Sequence, residues 1–390
     1  TFAGSSADGT RTPRKDAMGG YNDHRTYWLT RTRSWTPLSD LLTKHPSELD
    51  SPWHQALFYP VSWMLTHWFL NTPERRPMLA TYIRDVQAGG NPAEAMTRAT
   101  GMDLPSLKRE LIRYGRQPVN VAIYRFEQPQ FEMTITRLPR SADNLLLLGQ
   151  ALATNARKES ATTTLERVRR QAARYPADPM ALRLLGHAEL QLGDAAAGEA
   201  ALERLLASQP DDVAALQLMG QRRLVQAREA AAGPERLALI RQSRGYLSHA
   251  YEIDPIDFHT LHLLALSRSL SANYPNENDL LTWESAYLLA PQLIAIRFGY
   301  ARALMLAQRN DEAVALLHPV ANSPHAKTAA EVARQMIERA EAGQSPLDDA
   351  VLEAAARARD EPEEEPKPGE GEDGEGEDGG EEGGDAGGQG

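Results

Sequence analysis

The chain has 390 residues, 42% of them hydrophobic, enough for two or three domains with buried cores. Its net charge of −11 sits at one end: from Asp360 to Gly390 there are 14 acidic residues and a single lysine, Lys367, so the rest carries about +2 and no long-range field for nucleic acid. Cysteine is absent, which excludes disulfides, thiolate metal sites and thiol catalysis. No apolar run approaches the roughly 18–20 residues needed to span a bilayer.

Residues 1–34 read as an irregular, mildly basic segment in which Asp8, Asp16 and Asp23 dilute Arg11, Arg14, Lys15, Arg25, Arg31 and Arg33. Thr1 stands where a Met would, with no apolar signal region behind it. The expectation is a processed start or a piece of a longer protein. Residues 35–115 form a helical subdomain dense in aromatics. Its predicted helices are a short one carrying Leu38, Leu41 and Leu42, then Leu57–Leu70 bent near Pro60, Met78–Val86, Pro92–Ala99 and Leu104–Tyr114, with a break at Ala88-Gly89-Gly90. Residues 116–138 read as a connector, with alternation at Val119, Val121 and Ile123 and again at Phe131, Met133 and Ile135. That predicts a small hairpin turning at Gln128-Pro129.

The strongest signal covers 139–342. Pro139, Pro176, Pro210, Pro255 and Pro291 are each followed ten positions later by Gly149, Gly186, Gly220, Ala265 and Ala301, and Pro324 closes the series. Such a period predicts a stacked helix–turn–helix array. The small residue sits in each unit's first helix and lets a second helix approach. Val168, Leu202, Leu247, Trp283 and Leu316, each eight positions before the closing proline, fill the groove between them. The third unit is about 11 residues longer, which predicts an extended connection at Ala227–Arg236. Ala329–Ala342 reads as a capping helix and 343–359 as one more. The tail 360–390, nearly all Glu, Asp, Gly and Pro, cannot offset its ordering entropy and is expected to be disordered.

These features resemble tetratricopeptide repeats: Leu148-Gly149, Leu185-Gly186 and Met219-Gly220, Ala161 and Ala313 twelve positions after the small residue, Ala250 and Ala286 five before a proline, and the prolines themselves. Gly198 in place of Ala and the missing aromatic at the unit start depart from that pattern. The resemblance implies a mostly α protein with an α-solenoid whose first helices line a concave, peptide-binding face. Three before and one after each small residue, that face would carry Leu146 and Gln150, Arg183 and His187, Gln217 and Gln221, His262 and Leu266, and Phe298 and Arg302, with His259 one turn from His262. Arginines and histidines there favour an acidic or carboxylate-bearing protein or peptide.

Between Trp35 and Tyr114, the runs Trp35-Thr36-Pro37-Leu38, Tyr59 to Leu70, Asn91-Pro92-Ala93-Glu94-Ala95, Thr100-Gly101-Met102-Asp103 and Leu111 to Tyr114 are similar to the part of gluzincin-type, peptidase-MA-like zinc peptidases that follows the catalytic helices. This resemblance implies a bacterial periplasmic or secreted setting, and zinc only in an upstream half that would carry H-E-x-x-H. No H-E-x-x-H occurs among the ten histidines, so the chain as it stands supplies no metal site and no cofactor. Within this segment Tyr59 is the one catalytic candidate, as an oxyanion donor facing such a half; the alternative is a tyrosine packed on Trp63 and Pro60. His67 is expected to be a packed helix residue. His259-x-x-His262 shares a helical face, but two ligands do not make a metal site. Two functions therefore stand open: a non-catalytic protein- or peptide-binding repeat scaffold, or the C-terminal part of a zinc metallopeptidase.

Overall fold

A computed structural model describes residues 14–18, 29, 34–117, 122–126, 135, 137–153, 161–323 and 325–358. Pro324, the expected turn at Gln128-Pro129 and the acidic tail lie outside the described residues. The architecture is mostly α, a helical subdomain followed by a tetratricopeptide-like α-solenoid.

The first helices are α1 (Leu38–Thr43), α2 (Pro52–Leu70), α3 (Arg76–Gln87), α4 (Pro92–Thr100) and α5 (Leu104–Gly115), with a 3₁₀ turn at Pro46–Glu48. Helix α2 starts five residues before the expected Leu57 because Pro52 occupies its first position, where a missing N–H costs nothing. Pro60 lies within it. Leu57, Val61, Met64, Trp68, Met96, Leu107 and Leu111 make the shared core. His67 is buried and its Nδ1 lies 2.7 Å from the Tyr114 hydroxyl. Arg75 stacks 4.3 Å over Trp68, whose indole N–H donates to Glu110.

Two short strands revise the reading of the termini of this subdomain. The basic opening segment contains β1 (Arg14–Met18), and the connector contains β2 (Ala122–Phe126), paired antiparallel with Arg14 opposite Phe126 and Met18 opposite Ala122. Ile123 therefore pairs with Ala17 of the opening segment, while Phe131 and Met133 of the expected second strand lie outside the described residues. Ile135 is exposed and outside any strand. An isolated ribbon is marginal, and a partner far along the chain leaves no local turn signal to read.

Five helix pairs follow: α6 (Ala142–Ala153) with α7 (Ala161–Ala172), α8 (Pro179–Leu192) with α9 (Ala195–Ser208), α10 (Val213–Glu229) with α11 (Pro234–Ile253), α12 (Phe258–Arg268) with α13 (Glu277–Leu289), and α14 (Ile294–Leu306) with α15 (Asn310–Ala321). Helices α16 (Lys327–Glu341) and α17 (Asp349–Arg357) complete the described chain. Each small residue falls inside a first helix. A methyl on Gly186 would sit 2.5 Å from Leu202 Cγ, and one on Gly220 would sit 2.6 Å from Leu247 Cγ. Close approach and groove filling thus come from the residue pairs that the period marks. The extra residues of the third unit lengthen α10 and α11 and leave only a short turn at 230–233, so no extended connection exists.

The prolines have a second role. Two positions after Pro176, Pro210 and Pro255 stand Asp178, Asp212 and Asp257, which cap α8, α10 and α12 by accepting from the backbone N–H of Ala181, Ala215 and Thr260. Leu293, at the equivalent place after Pro291, has extended cap geometry but no side chain to accept.

The chain also doubles back. The helical subdomain rests against the last helix pair and α16: Asn322 donates to the Val86 carbonyl at 3.0 Å, Lys327 meets Ser47, and His325 packs edge-on against His45 and Phe58. Gly89 lies under His318, where a methyl would come within 2.5 Å of the imidazole, and its φ of +92° favours glycine independently.

Candidate peptide-binding groove

First helices α6, α8, α10 and α12 pack side by side and present one face inward. Over α6, α8 and α10 that face encloses a cavity of about 390 Å³. Its apolar floor comes from Leu145, Leu146, Met180, Leu184 and Leu218, and its polar rim from Gln150, Arg183, His187, Gln217, Gln221 and His259. The volume suits one or two side chains of a ligand or a short extended segment. The floor is apolar because the residues before each small position belong half to the groove and half to the core: Leu145 and Leu184 are also members of a buried cluster.

The structure divides the expected groove residues into three sets. In the first three units the residue one past the small position, Gln150 in α6, His187 in α8 and Gln221 in α10, lines the cavity, as does His259. In the second and third units the residue three before it has a further task. Arg183 donates both Nε and Nη2 to Asp212, and Gln217 donates to Asp257 and Thr260 at 2.8 Å. Ser141 likewise donates to Asp178 at 2.8 Å. Each capping aspartate therefore accepts from the preceding unit, and Arg183 and Gln217 act as clamps between repeats while lining the cavity. Arg183 is not an open fork for a ligand carboxylate. The third set lies outside the cavity: Phe298 is 1% exposed in the core of the last units, His262 faces the Trp283 ring at 5.6 Å, and Arg302 is paired with Asp349. Phe298 is core because the solenoid's end is sealed by α16 and α17 and loses its open inner face.

Electrostatics revise the charge expectation too. Burial lowers the pKa of His187, with His259 adding to the shift, and burial lowers that of His259 against a smaller opposing pull from Asp257. His262 is pulled down to about 4 by burial, with His259 next, Glu353 opposing and Arg228 adding. Burial thus disfavours the charged form of all three imidazoles, so His187 and His259 add little positive charge to the rim beyond Arg183, which Asp212 already engages. Among the described residues no three His, Cys, Asp or Glu side chains come together to hold a metal. Tyr59 is 49% exposed on α2 and touches Phe58 edge-on, 5.4 Å between ring centres. No described helix is long and apolar enough to cross a membrane.

Sequence reasoning missed the capping aspartates and their donors. The signal was present as Pro-x-Asp in three successive units. Glu189 was missed as well: buried, it accepts both Arg169 nitrogens, Nε at 2.6 Å and Nη2 at 2.7 Å, and ties α7 to α8.

No protein-family model and no curated protein matches the chain. Among solved structures, the chain is similar to a thermophilic TPR protein of Thermus thermophilus, with a TM-score of 0.43 and 19% identity over 50% of this chain and 97% of that one. The tetratricopeptide-like character therefore rests on this chain's own helix pairs, period and close approaches.

Proposed function

We propose that the chain is a non-catalytic repeat scaffold whose groove over α6, α8 and α10 holds a peptide segment of a protein partner. The observation that carries this is the cavity itself, built from equivalent positions of three consecutive units, with an apolar floor and a polar rim whose one arginine is engaged by Asp212. Leu145, Met180, Leu184 and Leu218 would take an apolar side chain of the peptide. His187, Gln221 and His259 would satisfy its backbone amides and carbonyls, the chemistry of extended-peptide recognition. With Arg183 engaged by Asp212 and burial disfavouring charge on the histidines, this half of the face selects an apolar residue flanked by extended backbone more than a carboxylate. The test is selection of peptides from a random displayed library on the parent chain, followed by calorimetry against Ala214→Trp, which fills the groove from α10. Selected peptides should share an apolar anchor and lose binding to the filled variant. Peptides that bind parent and variant alike would end the reading.

A further inference from the structure

The inner face continues past the open cavity, and there it is occupied. Helix α17 lies along α14 and α16, with Leu352 and Ala355 buried in the core of the last units. Its acidic side chains reach back across the face: Asp349 pairs with Arg302 at 3.1 Å, and Glu353 accepts from Arg228 of α10 at 2.6 Å. The two acids are four residues apart and so share one side of the helix, with Leu352 beside them. Around them stand His262, whose pKa responds to Glu353, and Tyr274, which feels both Arg302 and Asp349.

We propose that this C-terminal half of the inner face is a receptor for an acidic amphipathic helix of a partner, and that α17 holds the place in the free protein. Two independent features support it. The face is complementary to acids, presenting Arg302 and Arg228 from different repeats to Asp349 and Glu353, one turn apart on the helix. And α17 fits it imperfectly: Nη2 of Arg228 is buried with no hydrogen-bond partner among the described residues, although Nη1 of the same guanidinium meets Glu353. A buried donor left unsatisfied is costly, so a helix that placed its carboxylates better would displace α17. The resident is weakly held by packing, since of its nine residues only Leu352 and Ala355 are buried. It persists because a seven-residue tether, 342–348, keeps it close.

The probe is a fluorescent synthetic peptide of residues 346–358, and its binding to the full chain is read by anisotropy. On the parent it should bind poorly, because the tethered copy competes at an effective concentration on the order of millimolar. Asp349→Ala with Glu353→Ala should expose α17 to hydrogen exchange and tighten peptide binding by about tenfold or more. Adding Arg228→Ala and Arg302→Ala should take that gain away. The proposal is overturned if α17 stays protected after both acids are removed, or if the peptide does not bind the loosened chain. It is equally overturned if a scrambled peptide of the same composition binds as well. Because the probe addresses only this half of the face, its failure leaves the open groove over α6, α8 and α10 untouched.

Discussion

One substitution, made at two glycines, separates helix propensity from close packing. Gly186 and Gly245 both lie inside helices, α8 and α11, so replacing either by Ala should gain about 1 kcal/mol from propensity alone. Around Gly245 nothing lies within 4 Å of the added methyl, and that gain should appear in full. At Gly186 the methyl would meet Leu202 Cγ at 2.5 Å, Leu202 Cδ2 at 2.7 Å and the Gly198 carbonyl at 3.2 Å, and Leu202 is fully buried. Overpacking of that kind costs about 1–3 kcal/mol, so Gly186→Ala should come out neutral to destabilised by about 2 kcal/mol. Urea unfolding of both variants gives the comparison. Leu202→Ala alone should cost about 2–5 kcal/mol through the cavity it leaves. Combined with Gly186→Ala, it should cost less than the two summed, because the clash is gone. Equal stabilisation by the two glycine substitutions would refute the claim that Gly186 exists to admit Leu202.

Asp257→Ala removes a cap and the partner of Gln217 together, and should destabilise by about 1–3 kcal/mol in urea. Leu293→Asp supplies the cap that α14 lacks and should raise stability by about 1 kcal/mol on the same measurement. His262 is held down to about 4 while the unfolded chain titrates near 6.5, so the unfolded state binds the extra proton in between. Stability should therefore be full above about pH 6.5 and fall, by at most about 1.4 kcal/mol per pH unit from this group, as pH drops towards 4. His262→Gln should flatten that part of the urea-midpoint profile. Gly89→Ala should strain a left-handed residue and push on His318, loosening the subdomain from α15 and α16; faster hydrogen exchange at 318–327, with α8 and α10 unchanged, is the expected outcome.

The solenoid was legible because its signal is local and repeated: a proline that stops one helix, a small residue ten positions on, and a large apolar partner in the next helix. Pro-x-Asp belongs to the same grammar and could have been read, since an N-cap after a helix stop is also local. The strand pairing of Arg14–Met18 with Ala122–Phe126 could not, because it joins segments more than a hundred residues apart with no turn between them. The groove was legible only as a set of positions. Which of those side chains a ligand can reach depends on neighbours in other repeats. Arg183 is taken by Asp212, Arg302 by Asp349, and Phe298 by the helices that seal the end. Fold-back of α17 onto the inner face has no sequence signature beyond two acids four residues apart.

Peptide binding in the groove is tested most directly by a hydrogen-exchange footprint of the full chain with and without a library-selected peptide. Added protection is expected along α6, α8 and α10 and at the start of α12, around His259, with the second helices α7, α9 and α11 unchanged. Protection confined to the helices between Leu38 and Gly115, or to the outer helices of the solenoid, would contradict it.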